Sequence, residues 1–462
     1  MSDIKQMTFR KLILFCGDVF LLAMSFQLAW LVRLGYRASF LPSYFEMTAL
    51  VMYLMAFYLF DFYNTQKKRT DTMALFLQMG IVVGLVNIPL MSVFYLFNIR
   101  PYGAMLLFLS ACFVWLLAYG WRMLFHNWLA SHKPVRIAIL GDGTGKEFLY
   151  SLLAESPDFC VAALLDSDTG QNNSSADRRD LPAKDLNVIT REEVISFFQE
   201  HSVDMVVLAA SAPLSAEAYK KLSEIKMTGV DIQELPYFCE KTFGKIPVYH
   251  VNDSWFIAEP IWGVRKVTYN EKGKTFADKI LSSFFLLLAL PVILFVSLLI
   301  KIDSPGPVIY CQKRVGKEGR VFRLYKFRSM RTDAEINGAV WAKENDQRVT
   351  RVGRFIRKCR LDEIPQFWNV LKGDMSLVGP RPERPEFEEE LIRKIPYFSL
   401  RHAVAPGITG WAQVSYPYGA SIEDAVEKLQ YDIYYIKNLS LFLDLLILVK
   451  TVKIVLFRRG AR

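Results

Sequence analysis

Asp362 and Glu363 stand side by side between the cationic run Arg357-Lys358-Cys359-Arg360 and Pro365, a proline placed as it would be in the first turn of a helix. A positive field lowers carboxyl pKa values, so the spacing predicts that both groups stay ionised. An ionised carboxylate among cations can attack phosphorus, ligate a hard metal such as magnesium, or form half of a surface ion pair. The pair alone does not choose among these. Its surroundings favour phosphate chemistry: Lys313-Arg314, the Lys326/Arg328 pair and the GPRP turn at residues 379–382 offer point charge, bidentate forks and close backbone approach.

The charge is local. Residues 1–300 hold 27 Lys+Arg and 27 Asp+Glu, whereas 301–462 hold 29 and 19, which is the whole net charge of +10. Residues 313–360 carry 15 basic and 5 acidic side chains, so the excess belongs to one module, where it can serve phosphate ligands, anionic headgroups or nucleic acid, or form a solvated basic face.

Something must carry that module, and the rest of the chain is too apolar for an ordinary soluble protein: 52% of the 462 residues are hydrophobic. Four stretches, 12–34, 47–63, 73–97 and 102–129, are each about long enough to cross ~30 Å of hydrocarbon. They predict a membrane α-helical bundle of four spans over residues 1–132. The first stretch lacks a small-residue cleavage site and is expected to be retained. Lys5, Arg10 and Lys11 before it, Lys67-Lys68-Arg69 between the second and third, and His132, Lys133 and Arg136 after the fourth put both ends of the bundle on the cytoplasmic side; Arg33, Arg37 and Arg100 oppose this with fewer charges. Asp18 and Glu46 near span ends read as helix-pairing or snorkelling residues.

From Pro134 the texture changes to strands alternating with helices, over 135–140, 161–165, 204–209 and 230–235. This predicts a Rossmann-like α/β domain over residues 133–265. Its first turn, Gly141-x-Gly143-x-Gly145, is not a complete G-x-G-x-x-G, although Asp166 stands where a ribose-binding acid would; a tight turn in a spacer or dimerisation domain is the competing reading. Residues 166–180 read as a polar surface loop.

Residues 280–300 are uncharged and apolar, yet Lys266, Lys272, Lys274 and Lys279 precede them, Lys301 follows, and Pro291 interrupts them. Like charge on both flanks and a proline kink predict a re-entrant membrane helix within 266–302, with the chain turning at SPGP, residues 304–307.

Four long motifs then follow in order: YCQKRVGKEGRVFRLYKFRSM (310–330), RVGRFIRKCRLDEIPQFWNVLKGDMSLVGPRPERP (351–385), RHAVAPGITGWAQV (401–414) and KLQYDIYYIKNLSLFLDLLILVKT (428–451). They resemble the catalytic domain of the monotopic bacterial sugar transferases, the polyprenyl-phosphate phosphoglycosyl transferases that initiate exopolysaccharide synthesis. With the bundle, the α/β module and the re-entrant helix, the resemblance covers essentially the whole chain.

It implies a mostly α catalytic domain over 303–462, with interfacial helices, at the cytoplasmic face of the bacterial inner membrane. The implied reaction moves a sugar 1-phosphate from a UDP-sugar to undecaprenyl phosphate, with Mg2+ as cofactor. Asp362 matches the family's nucleophile and Glu363 its partner in metal coordination or the second step. Lys326, Arg357 and Arg381, with Lys313, Arg314, Arg328 and Arg360, are expected around the diphosphate and nucleotide. Asp432 is a third metal candidate or a structural acid; Gln413 and Trp411 are weaker substrate candidates, and His402 is expected to bond locally. Ala405 departs from the pattern, which has lysine there, and puts one contact in doubt. Residues 439–459, with Lys450, Lys453, Arg458 and Arg459, read as a helix in the lipid interface.

The six cysteines show no CxxC or Cys/His spacing, which argues against zinc or a disulfide framework. Nucleic-acid binding would explain the charge but not the spans. The incomplete glycine fingerprint counts against a catalytic α/β module. The rival of another class is a non-catalytic membrane regulator that senses nucleotide or lipid. A homodimer through the middle module is compatible with the sequence; the sugar is not legible in it.

Overall fold

Apolar helices, then an open sheet, then a mixed α/β region succeed one another in the computed structural model, which describes residues 3–35, 44–63, 72–96, 104–130, 134–141, 143–154, 156, 158–166, 183–185, 191–209, 215–251, 253–258, 267–334, 346–417, 419 and 421–456. Arg37, Lys67-Lys68-Arg69, Arg100, His132, Lys133, residues 167–180, Lys266, Arg458 and Arg459 lie outside them. The chain divides into two units, Met1–Glu234 and Leu235–Arg462.

The first unit begins with α1 (Asp3–Leu34), α2 (Tyr44–Leu59), α3 (Thr72–Leu96) and α4 (Ala104–Ala130). Leu12–Arg33, Thr72–Ser92 and Met105–Trp128 are long and apolar enough to cross a membrane. The second expected span, 47–63, is realised as a helix of 16 residues, about 24 Å long at ~1.5 Å per residue and so shorter than the other three. The polar residues of the bundle pair helices. Arg122 on α4 donates to both carboxylate oxygens of Asp18 on α1, at 2.8 and 2.9 Å, beneath the rings of Phe57 and Phe62. Trp30 Nε1 donates to Glu46 at 3.0 Å. Asp18 and Glu46 therefore tie α1 to its neighbours.

The middle module forms a five-stranded parallel sheet. The strands β1 (Val135–Gly141), β2 (Phe159–Asp166), β3 (Ala183–Asp185), β4 (Met205–Ala209) and β5 (Asp231–Glu234) lie in the order β3-β2-β1-β4-β5. Helices connect β1 to β2, β3 to β4 and β4 to β5, around a core of Leu140, Ala163, Leu165, Phe197, Val206 and Leu222. The third glycine of the first turn has a packing explanation. A Cβ on Gly145, in helix α5 (Gly143–Ala154), would lie 2.3 Å from the carbonyl oxygen of Ala209 at the end of β4. Glycine there lets the helix close onto the sheet.

The second unit opens with residues 235–258, which the sequence placed with the middle module. They pack on the catalytic region instead: Ile246 and Val248 join Leu391, Phe398, Val426, Leu429 and Ile433 in one core, and Lys437 pairs with Glu240 at 2.7 Å. Two helices follow, Val267–Leu288 and Leu290–Asp303, bent by 59° at one intervening residue. Pro291 sits in the first turn of the second limb and cannot donate to the preceding turn, which is why the bend falls here. Phe284, Leu287, Leu288, Leu294, Phe295 and Leu298 are exposed along both limbs, while Val296 and Ile300 pack on Phe327 and Ile356.

The expectation of a mostly helical catalytic domain needs correction. A two-stranded antiparallel ribbon, β6 (Ile309–Val315) with β7 (Val321–Phe327), and a parallel pair, β8 (Ser376–Val378) with β9 (Gly407–Thr409), are built in. They align backbone beside the acidic pair, which helices alone would not do.

Candidate active site

Helix Arg351–Lys358 starts at Thr350, whose hydroxyl accepts from the Gly353 N–H at 2.9 Å. It ends before Arg360, which adopts a left-handed conformation with φ 59°. That reversal places Asp362 and Glu363 in a single 3-10 turn, Leu361–Glu363, ahead of helix Gln366–Lys372, which Pro365 caps. The strained residue thus directs the carboxylates across toward the ribbon.

The cations converge on Glu363. Lys326 Nζ on β7 donates to Oε1 at 3.1 Å, and Arg381 Nη2 of the GPRP turn donates to the same oxygen at 3.0 Å. Arg360 Nη1 lies 4.0 Å from Oε2. Burial pushes the Glu363 pKa up, but Lys326, Arg381 and Arg360 outweigh it and hold the group well below the usual carboxylate range. Asp362 is buried too, at 8% exposure. Burial and the neighbouring Glu363 charge raise its pKa against the opposing Lys326, Arg357 and Arg360. The two carboxyls are therefore held differently: the direct cation contacts are on Glu363, while burial and the Glu363 charge raise Asp362 above the ordinary aspartate value. Lys326 in turn has its pKa lowered by burial, against the pull of Glu363.

Ribbon register decides which cations join them. Residues paired directly across β6 and β7 share a face, and Tyr310 pairs with Lys326 while Arg314 pairs with Phe322. Arg314 therefore lies on the Lys326 face, donating to the Pro382 carbonyl at 2.9 Å and to Gln312. Burial lowers its pKa to about 10, with Glu383 opposing. Lys313 pairs with Arg323 on the opposite face and is exposed; as a partner of Arg314 in phosphate binding it is corrected.

Arg328 is likewise placed differently from the expectation. Its guanidinium donates to the Pro305 carbonyl at 2.6 Å, and to the Ser304 carbonyl and hydroxyl at 2.7 and 3.0 Å. It anchors the SPGP turn, closing under Gly306 at φ +124°.

Asp432 is placed in the structural role, the second of its two readings. It accepts from Arg401 Nη2 at 3.0 Å, and the same nitrogen donates to the Arg381 carbonyl at 2.8 Å. Burial pushes the Asp432 pKa up to about 6, against Arg401. Among the described residues no group of three or more His, Cys, Asp or Glu assembles to hold a metal. Gln413 donates to the Ile408 carbonyl at 3.2 Å. Trp411 is core: its Nε1 donates to the Gly244 carbonyl at 2.8 Å, and Lys450 sits 4.2 Å over its ring. His402 pairs with Glu388, as local bonding predicted. Sequence reading missed Arg401, which stands beside the singled-out His402; only its distance to the Arg381 carbonyl marks it.

The GPRP turn is pressed between backbones. Gly379 N–H donates to the Thr409 carbonyl and Gly407 N–H to the Pro380 carbonyl, both at 2.9 Å. A Cβ on Gly379 would lie 2.3 Å from the Ala405 carbonyl oxygen. Glycine lets the turn hold Arg381 against Glu363.

The match to known proteins spans the acidic pair and its cations. The family described as bacterial sugar transferase matches residues 269–458. The chain is 34% identical over 352 residues to the undecaprenyl-phosphate galactose phosphotransferase of Salmonella typhimurium, covering 70% of this chain and 68% of that one. It is 42% identical over 252 residues to the UDP-N-acetylgalactosamine-undecaprenyl-phosphate N-acetylgalactosaminephosphotransferase of Aeromonas hydrophila, covering 54% and 58%. It is 39% identical over 209 residues to the UDP-glucose:undecaprenyl-phosphate glucose-1-phosphate transferase of Escherichia coli, covering 45% and 43%. The chain thus spans about half the length of the latter two relatives. The three are named for three different sugars.

Proposed function

Because this chain belongs to the bacterial sugar transferase family, we propose that it transfers a sugar 1-phosphate from a UDP-sugar to undecaprenyl phosphate at the cytoplasmic face of the bacterial inner membrane. The observation that carries the reading is the division of labour at residues 362 and 363. Glu363 holds Lys326 and Arg381 in place, while Asp362, in the same turn, is left to react.

Two displacements account for the transfer. A carboxylate oxygen of Asp362 attacks the sugar-bearing phosphorus, and the bond from that phosphorus to the UMP oxygen breaks, so UMP leaves with the electron pair. An oxygen of the lipid phosphate then attacks the acyl-phosphate; the bond to Asp362 breaks and the carboxylate is restored. Each step exchanges one P–O bond for another, so little driving force is needed and positioning dominates. Lys326, Arg381 and Arg360 supply positive charge at Glu363, and Lys326, Arg357 and Arg360 act on Asp362.

The adjacent carboxylates fit a magnesium ion bound as at other phosphoryl-transfer sites, by one or two carboxylates with substrate phosphates completing the set. Asp362 and Glu363 would hold it, and when bound it would offset charge on the leaving nucleotide. The bent helix pair suits re-entry into one leaflet, since Lys272, Lys274 and Lys279 lie on its first limb and Lys301 near its end. Helix Leu441–Leu456, with Leu441, Phe442, Leu445, Val452 and Val455 exposed, suits the interface.

The test is UMP release by purified protein with magnesium, undecaprenyl phosphate and, in turn, UDP-glucose, UDP-galactose and UDP-N-acetylgalactosamine, with Asp362→Asn in parallel. Lipid-dependent UMP from one donor, abolished in the variant and by chelation, is the expected result. Without acceptor, donor labelled in the sugar phosphate should label wild type and not Asp362→Asn. Release without covalent labelling would remove the two-step route, and no release from any donor would favour a non-catalytic regulator.

A further inference from the structure

A second buried charged cluster lies in the catalytic unit, against the strand that leads into the GPRP turn. Lys274 Nζ is 2.6 Å from Asp444 Oδ2 and 3.8 Å from Asp278 Oδ2. The Tyr435 hydroxyl is 2.8 Å from Asp444 Oδ1 and 3.1 Å from the Val378 carbonyl oxygen. The Ser376 hydroxyl is 2.7 Å from Asp278 Oδ2 and 2.9 Å from that same carbonyl oxygen. Each hydroxyl thus places its single proton between a carboxylate oxygen and one backbone carbonyl oxygen, and Ser376 Oγ also accepts from the Val378 N–H at 3.2 Å. The members come from the first limb of the bent helix, β8, helix Ile422–Lys437 and helix Leu441–Leu456.

Two carboxylates and one ammonium in a core are a poor source of stability, since well-packed apolar side chains of similar volume often do as well or better. What the cluster does hold is position. Val378 is followed by Gly379, Pro380 and Arg381, in a turn whose backbone is fixed to β9. A shift of the Val378 carbonyl would thus reach Arg381, whose Nη2 is 3.0 Å from Glu363. The other end of the turn, the Arg381 carbonyl, is held by Arg401.

We propose that Lys274 and Asp278 of the bent apolar helix are positioning residues for Arg381, acting through Ser376, Asp444 and Tyr435, so that the seating of this helix sets the cation facing Glu363. The proposal rests on the reading of Asp362 and Glu363 as the reacting pair.

A double-mutant cycle tests it. Ser376→Ala and Tyr435→Phe each remove one hydroxyl. With Arg381 present, each should lower kcat for UMP release about tenfold to a hundredfold, as small misplacements of catalytic groups do. Combined with Arg381→Lys, the same changes should cost less than about twofold, because they act through the residue already altered. Asp278→Asn, which keeps an acceptor oxygen for Ser376, should retain most of the activity that Asp278→Leu loses. Equal fractional losses in both Arg381 backgrounds would mark a general structural role and overturn the proposal. Absence of UMP release by wild type would instead sink the reading of the site. In that event amide exchange at Gly379 and Arg381 decides the inference: faster in Ser376→Ala and Tyr435→Phe supports it, and unchanged rates refute it.

Discussion

Arg381 and Glu363 meet at 3.0 Å, with the same carboxylate oxygen also held by Lys326 at 3.1 Å. A carboxylate so enclosed has its charge fixed, and it passes the remaining freedom to its neighbour in sequence.

Glu363→Gln leaves two buried or half-buried cations without their counter-charge. Removing one side of a buried pair costs about 3–5 kcal/mol, so the variant should lose both thermal stability and UMP release. Adding Lys326→Met should return much of the stability and none of the activity. Thermal midpoints and release measured on the same preparations check this; recovery of activity with stability would show the pair to be structural.

The acid limb of the pH profile reports on Asp362. Its pKa is raised by burial and by Glu363, and only the ionised form attacks phosphorus. Activity should therefore fall, as pH decreases, at a higher pH than the ~3.9 of a free aspartate. Arg357→Gln removes one of the charges that lowers this pKa and should move the limb further up. A limb unmoved or displaced to lower pH in the variant would contradict the assignment.

Asp432 should leave a signature in stability. With a folded pKa of about 6 against ~3.9 unfolded, the native state binds the proton more tightly. The stabilisation this brings is full below the unfolded value and is lost as pH rises through about 6, by roughly 3 kcal/mol at most. Asp432→Asn has no such titration, so the advantage of wild type over the variant should shrink between about pH 4.5 and 7.5 in thermal melts. A constant difference across that range would be inconsistent with the shift.

Lys313 and Arg314 should separate cleanly. Arg314→Ala loses the bond to the Pro382 carbonyl and should lower kcat/KM on the order of a hundredfold. Lys313→Ala, an exposed change on the opposite face, should stay within about twofold. Comparable losses in both would mean that the ribbon faces the site from its other side.

The legible parts of the chain were those with a strong period or a strong local signal. Apolar length marked three long helices, β-α alternation marked the parallel sheet, and Pro291 within an apolar run marked the bend. The acidic pair stood out through adjacency to its cations. Less legible were choices that depend on register and on distant backbone. Whether Lys313 or Arg314 faces Lys326 is set by cross-strand pairing. Arg328 read as a phosphate-binding cation until its two Nη groups proved to be taken by the SPGP turn. Asp432 read equally as a metal candidate or a structural acid, and its partner Arg401 lies 31 positions away. The raised pKa of Asp362 was hidden because sequence shows neighbouring charges but not burial, and here burial and Glu363 prevail.

The ribbon also limits how this protein can vary through evolution. Its two strands alternate faces residue by residue, so deleting or inserting one residue between Ile309 and the turn would turn Lys313 inward and Arg314 outward. Point substitutions on the exposed face, or length changes in steps of two, would preserve the inward set. The ribbon's length parity should therefore be held under selection more firmly than the identity of its outer side chains.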